Sequence, residues 1–401
     1  MIFTELQKDE IRKDFTSGKT VKDLVVLLNK ISGMRYANHP HWKYNEPKIT
    51  IESFNYFLYV HKEKYKTFTI SKKSGGVREI KAPHRFLKNM QRLLNECLNA
   101  CFIPMPTATG FIEGRGILDN AKKHVGKKYV YNIDLKDFFP SINFHRVRAA
   151  LEKVPPFKLD GKFATIVANL CCHENSLPQG APTSPTISNF ICKKLDAKLY
   201  NLSKDMQFSF SRYADDITIS CNKNIFTKEF KSLISKIIEE EGFKLNPKKE
   251  RLQRNHVETK DGYIRQRQEV TGIIVNEKPN VPRRYLRNLR AMLHNWEKHG
   301  YDVASQQLEH YYKNEKGFQR YSGHTPALEQ VVGGKLEYLG MVRGKEDALY
   351  IDFKLRYDSL CMKNEYTHEE IEEIFTIGET KGLKAAMDRF YDKRNLSQDG
   401  Q

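Results

Sequence analysis

Apolar and polar positions follow two periods along this chain. Residues 1 to 64 give short helical patterns separated by polar, aromatic connectors such as RYANHPHWKYNEP, where Pro40 and Pro47 interrupt any regular element. From Tyr65 to Pro83 the segment KTFTISKKSGGVREIKAP predicts two strands joined at Gly75-Gly76, a dipeptide suited to a tight turn. The next run, FLKNMQRLLNECLNACF, returns to helical spacing. From Lys128 onward strands and helices alternate: KYVYNIDL predicts a strand, residues 161 to 173 and 186 to 202 predict helices, and an α/β layer is implied. FSFSRYADDITIS then places two acidic residues between apolar runs and predicts a hairpin with carboxylates at its tip. FKSLISKIIEEEGF predicts an amphipathic helix ending at Gly242, and QEVTGIIVN predicts a further strand. After Pro282 the pattern is helical in YLRNLRAMLHNWEKHG, with a glycine turn expected at Gly333-Gly334 before YLGMVRGKEDALYIDFKLRYDSL. Thr367 and Glu370 are spaced as a capping box opening a last helix.

Charge narrows the partner. The 401 residues carry 67 Lys and Arg against 49 Asp and Glu, a formal net charge of +18, which points to a polyanion because basic side chains displace counterions condensed on phosphate backbones. A membrane surface is the competing polyanion, but no apolar run approaches the length needed to span a bilayer and the N-terminus lacks a signal-peptide core; a cytoplasmic protein is expected. The basic excess concentrates in residues 62 to 92, with ten Lys or Arg against two Glu. It reverses in residues 361 to 401, with nine acidic against six basic residues, so that stretch is expected to be an acidic helical tail. The seven cysteines lack the paired spacing of a zinc site and are expected to be reduced and mostly buried, His173 beside Cys171 and Cys172 notwithstanding.

Chemistry concentrates at three carboxylates. Asp215 and Asp216 sit side by side between apolar segments, where carboxylates are costly unless water or a cation compensates them. Asp134 ends another apolar strand, YVYNID. Two neighbouring strands can therefore deliver three carboxylates to one point, a site suited to Mg²⁺, which prefers oxygen ligands and keeps positions for water and phosphates. Two such ions would serve an in-line phosphoryl transfer.

These residues also resemble a family. Tyr213-Ala214-Asp215-Asp216 looks like the YxDD signature of reverse transcriptases, and Asp134 with Phe138 and Phe139 looks like their first palm motif. LPQGAPTSP, from Leu177 to Pro185, resembles the loop that positions template and nucleotide, and GFKLNPKK, from Gly242 to Lys249, resembles the next palm motif. Asn120-Ala121-Lys122-Lys123-His124 fits the NAxxH element and Val270-Thr271-Gly272 the VTG element of retron reverse transcriptases. The resemblance covers roughly residues 50 to 360.

The resemblance implies an α+β right-hand polymerase with an antiparallel palm sheet: a helical N-terminal extension over residues 1–64, fingers and palm over 65–280, thumb over 281–360 and the tail over 361–401. It makes Asp134, Asp215 and Asp216 the ligands of two Mg²⁺ ions. Phe139 becomes the bulky residue that excludes a 2′-hydroxyl, and Gln179, Gly180 and Pro182 shape the nucleotide pocket. Lys72, Lys73 and Arg78 would reach the triphosphate, and Lys248 or Lys249 the leaving pyrophosphate. Arg283, Arg284, Arg287 and Arg290, at spacings that put much of their charge on one helix face, would grip the duplex backbone. Asn120 and His124, at i and i+4, would share a helical face and contact RNA, with Val270, Thr271 and Gly272 in the same role. Expected partners are deoxynucleoside triphosphates, a cognate structured noncoding RNA with its DNA product, and a separate effector protein in defence against phage. The nearest enzymatic alternative is another bacterial reverse transcriptase, of the abortive-infection or group II intron type; a noncatalytic RNA-binding shell is the alternative of a different class, and the presence of all three carboxylates argues against it.

Overall fold

The computed structural model describes residues 3–38, 47–60, 63–71, 76–259, 262–314, 325–365 and 368–382. The chain divides into two compact units, Met1–Glu277 and Lys278–Gln401.

The first unit opens with α1 (Glu5–Ser17), started by a capping box between Thr4 and Gln7, and α2 (Val21–Asn38). A short α3 (Ile51–Asn55) runs into one π-helical turn, Tyr56–Val60. The basic hairpin follows as β1 (Tyr65–Ser71) and β2 (Val77–Pro83), paired antiparallel from Tyr65↔Pro83 to Ser71↔Val77; its connection, with Lys72 and Lys73, lies outside the described residues. Then come α4 (Arg85–Cys101), α5 (Ile117–Lys122), β3 (Tyr129–Asp134), α6 (Phe144–Lys153), α7 (Gly161–Cys171) and α8 (Ser184–Asp205). The acidic hairpin is β4 (Ser209–Tyr213) and β5 (Asp216–Cys221), followed by α9 (Lys228–Glu240), which stops just before Gly242. Past β6 (Arg251–Arg254), a second hairpin pairs β7 (His256–Thr259) with β8 (Gly262–Arg265).

The central sheet has the order β4-β5-β3-β6, and every neighbouring pair is antiparallel. Its side chains alternate between two different environments, as strand pleating requires. Tyr131, Ile133, Phe210, Ile217 and Ile219 point into the apolar core, each such buried side chain contributing about 2 kcal/mol. The opposite face carries Ser211, Thr218 and Ser220, polar yet almost wholly covered, and the half-buried Asn132. The N-terminal helices join that same core: Phe15 of α1 meets Phe157 and Phe163 edge-on, at 6.2 and 5.8 Å between ring centres. Five of the seven cysteines are buried, and all are free thiols.

Two expectations for the local elements are corrected. QEVTGIIVN is not one strand but a hairpin, β9 (Glu269–Val270) and β10 (Ile273–Ile274), turning on Thr271 and Gly272 at φ of +47° and +84°, the left-handed pair that a two-residue hairpin loop needs. In the second unit, Gly333-Gly334 is no turn. Both residues lie inside a helix, because Gly333 lets the Tyr357 hydroxyl of the next helix approach to within 2.9 Å of where a Cβ would stand. That unit consists of α10 (Arg283–Asn314), which is interrupted at Gly300 at φ +80°, α11 (Leu328–Arg343), α12 (Ala348–Glu365) and α13 (His368–Lys381). Thr367 lies outside the described residues. No helix among the described residues is long and apolar enough to cross a membrane.

Candidate active site

The register of the central sheet gathers the acidic residues. Asp134 at the end of β3 pairs directly with Asp216 at the start of β5, and Asp215 sits beside them in the two-residue turn Ala214-Asp215 that joins β4 to β5. Ala214 takes φ of +58°, which lets the chain reverse this tightly. The turn is pinned to β3 where the Leu135 amide donates to the Asp215 carbonyl at 3.0 Å, and the Asn246 amide donates to the Asp134 carbonyl at 2.8 Å.

The carboxylates work against one another electrostatically. Burial first, and Asp134 second, raise the Asp215 carboxyl above the usual carboxylate range. Asp216 is exposed on its outer side, but the protein packed beneath it, then Asp215 and Asp134, push its carboxyl up to about 7. Such a donor set, all oxygen and mutually repelling, fits a hard divalent cation, which would relieve both the repulsion and the desolvation. Asp134 and Asp216 lie within hydrogen-bonding reach of each other, although among the described residues no group of three His, Cys, Asp or Glu has the geometry of a formed metal site. Asp134 also accepts from Asn246 Nδ2 at 3.2 Å and forms an ion pair with Lys249 Nζ at 2.5 Å.

The surrounding loops close on this point. The Gln179 carbonyl accepts from the Lys81 amide at 2.9 Å, tying the pocket loop to β2. Gly180, at φ +136°, sits so close to this strand that an added Cβ would stand 2.7 Å from the Lys81 carbonyl oxygen, so only glycine fits. Pro182 is half-buried in the same loop, and the exposed Arg78 on β2 carries charge that lowers the Asp215 carboxyl. Phe139 is half-buried against Phe138, their ring centres 5.3 Å apart. Lys248 is exposed beside Lys249 in a short 3₁₀ turn capped by Asn246.

Comparison with known proteins agrees with this geometry. The profile of the reverse transcriptase (RNA-dependent DNA polymerase) family matches residues 70–286, and the Retron Ec86 reverse transcriptase of Escherichia coli is 30% identical over 281 residues, covering 69% of this chain and 83% of that protein. The chain belongs to the retron-type reverse transcriptases. The Retron Mx65 reverse transcriptase of Myxococcus xanthus is 36% identical over 249 residues, 57% of this chain, and the match spans 55% of that relative's length. Among solved structures, telomerase from Candida albicans in complex with a fragment of telomeric RNA has a TM-score of 0.44 at 11% identity, covering 88% of this chain and 71% of that one, a likeness too distant to argue from.

Two elements expected to mark the retron type at an RNA-facing surface are placed elsewhere. Asn120 and His124 do not share an open helical face: α5 ends at Lys122, and both residues are fully buried against the polar face of the sheet. The His124 ring spans β4 and β5, with Nδ1 2.7 Å from Ser220 Oγ and Nε2 2.7 Å from Ser211 Oγ, and Asn120 Oδ1 accepts from Thr109 Oγ1 at 2.8 Å. Val270 is buried as well. Thr271 Oγ1 donates to the Ile117 carbonyl at 3.2 Å, so the VTG hairpin packs on the helix that carries Asn120, and Gly272 alone of its three residues is exposed. Buried polar groups want partners: His124 finds both of its own on the sheet and Thr271 finds one on the helix, while Asn120 Nδ2 is buried without one among the described residues.

Sequence reasoning passed over the brace behind the turn. Arg212 is fully buried, its guanidinium forms two bonds of 2.7 Å to the Asp196 carboxylate of α8, and its Nη1 donates to the Ala214 carbonyl at 3.0 Å. A fork–fork ion pair of this kind fixes orientation. Its only signal in the sequence is a charge at a core-facing strand position directly before the tyrosine. In the second unit, Arg283, Arg284, Arg287 and Arg290 are all exposed on α10, with Arg290 lying over the Phe353 ring at 5.7 Å.

Proposed function

We propose that this protein is an RNA-directed DNA polymerase that copies part of a cognate structured noncoding RNA, priming from the 2′-hydroxyl of an internal guanosine and so producing single-stranded DNA branched from RNA. The observation that carries the reading is the register of Asp134 against Asp216 with Asp215 in the adjoining turn, three carboxylates at one sheet end inside a reverse transcriptase motif order. Its relatives named as retron reverse transcriptases support a retron-type polymerase. When bound by these carboxylates, two Mg²⁺ ions would supply activation of the attacking hydroxyl and stabilisation of the departing pyrophosphate.

The chain's own residues account for the rest. Phe139, half-buried five positions after Asp134, would exclude a 2′-hydroxyl from the incoming sugar, selecting deoxynucleotides. Gln179, Gly180 and Pro182, held against β2, would shape the nucleotide pocket, while Arg78, Lys72 and Lys73 would meet the triphosphate and Lys248 or Lys249 the pyrophosphate. Arg283, Arg284, Arg287 and Arg290 would hold the duplex through its phosphates. The enzyme would act in the cytoplasm with a separate effector protein in defence against phage.

The test is to sequence nucleic acid that co-purifies from cells expressing the protein with its native flanking DNA, beside an Asp215→Ala, Asp216→Ala variant. A short DNA joined to one RNA through a 2′-linkage, absent from the variant, is the expected result. Linear DNA would indicate a reverse transcriptase of another type, and RNA alone a binding scaffold.

A further inference from the structure

The loop 107–116 runs beside the acidic hairpin, with Ala108 bridged in parallel to Arg212. It carries an aromatic residue with no place in the assignments above. Phe111 takes φ of +63°, where a bulky side chain is a genuine outlier, yet the residue is 46% exposed, so burial does not compensate the strained backbone. The conformation is imposed from behind. An added Cβ on the neighbouring Gly110 would stand 2.5 Å from the Ala214 amide nitrogen, and Asn189 Nδ2 donates to the Gly110 carbonyl at 2.9 Å. Arg115 Nη1 clamps the Met105 and Ala108 carbonyls at 2.8 Å each.

The direction in which the strained residue points is specific. The Phe111 ring centre lies 6.2 Å from that of Phe139 and 6.4 Å from that of Tyr213, tilted by 40° and 38°. Tyr213 is register partner to Asp216, and Phe139 follows Asp134 by five residues, so the three rings line one wall beside the carboxylates. A backbone held in an unfavourable region by its surroundings, presenting an aromatic face to solvent next to reacting groups, has the form of a ligand contact. The planar apolar ligand that a polymerase brings to such a wall is a nucleobase, and stacking on aromatic rings tolerates all four bases.

We propose that Phe111 contacts the nucleobase of the base pair being formed and, with Phe139 and Tyr213, positions it for transfer; this rests on the polymerase reading above. The contact is made before the chemical step and kept through it, so its loss raises the KM for the nucleotide and leaves kcat nearly unchanged. Base–aromatic stacking corresponds to a change on the order of ten-fold.

The experiment is single-nucleotide incorporation on a primer–template with purified full-length protein, comparing wild type with Phe111→Gly, Phe111→Leu and Phe111→Tyr, alongside melting temperatures. Phe111→Gly is expected to raise the nucleotide KM about ten-fold while melting at or above the wild-type temperature, since glycine accepts positive φ without strain. Phe111→Tyr should stay within about threefold of wild type, and Phe111→Leu should behave like glycine. A wild-type KM in Phe111→Gly would overturn the proposal, as would a Leu variant equal to the Tyr variant. So would a lowered melting temperature in Phe111→Gly with Phe111→Tyr equally impaired, which makes the ring structural. Absence of incorporation by wild type would instead sink the polymerase reading itself.

Discussion

Replacing His124 with alanine removes one imidazole from between two strands and strips two buried hydroxyls, Ser211 and Ser220, of their partner. Each buried polar group left unsatisfied costs roughly 1–3 kcal/mol, and with the packing lost the sum is on the order of 3–5 kcal/mol. For a unit of this size that corresponds to a drop of about 10 °C in melting temperature, readable by calorimetry or circular dichroism. Titration gives a second, independent reading. Burial, then Lys123 and Lys127, push the His124 ring down to about 3 from its usual 6.5, so protons bind the unfolded chain but not the folded one across that interval. The stabilisation by neutral His124 is complete above pH 6.5 and is lost as the pH falls toward 3, at about 1.4 kcal/mol per pH unit. Between pH 7 and pH 5 wild type should therefore lose about 2 kcal/mol more than a His124→Gln variant in urea unfolding. A His124→Ala protein that melts like wild type but has lost affinity for its RNA would refute this reasoning and restore His124 to an RNA-facing surface.

Three further outcomes follow from the site. Asp216→Asn should melt higher than wild type in EDTA, because it removes one of three repelling carboxylates, and should lose most of the stabilisation that Mg²⁺ gives wild type along with incorporation. Arg212→Leu leaves Asp196 buried and unpaired and should cost about 3–5 kcal/mol in denaturant unfolding, whereas the Arg212→Leu, Asp196→Leu double variant should be less destabilised than the two single losses added together. Gly110→Ala drives a methyl group to 2.5 Å from the Ala214 amide and should reduce incorporation at least ten-fold in a primer-extension assay, by displacing the turn that carries Asp215, with a smaller effect on binding of primer–template.

The acidic hairpin was legible because its residues violate the local pattern: Asp215 and Asp216 interrupt apolar strand segments, and only a turn lets both remain near solvent. Asp134 was legible for the same reason, at the end of β3. Residues that satisfy one another leave no such mark. Nothing in the sequence says that His124 lies between Ser211 and Ser220, since the three are brought together by strand pairing across almost a hundred residues. The i, i+4 spacing of Asn120 and His124 suggested a shared face, but the helix ends between them and tertiary packing decides their direction. Gly333-Gly334 misled in a similar way, because glycine serves close helix packing as readily as it serves turns.

The two faces of the central sheet explain why the polar side chain of His124 is buried. One face is apolar and packs in the core with little directional demand. The other carries Asn132, Thr218, Ser211 and Ser220 and stays stable only if every hydrogen-bonding group finds a partner in a fixed position. Gln253 does this at one end, donating to Asn132 Oδ1 at 2.5 Å and to the Glu269 carbonyl at 2.9 Å, which fastens the VTG hairpin to β6; His124 does it at the other end. Slippage of β5 against β3 by one residue would separate Asp134 from Asp216 and would also break this polar ladder, whereas an apolar face alone would resist it less specifically. The register that aligns Asp134 with Asp216 and the burial of His124 are thus one constraint, and substitutions at Asn120, His124 or Gln253 should act on activity through the sheet.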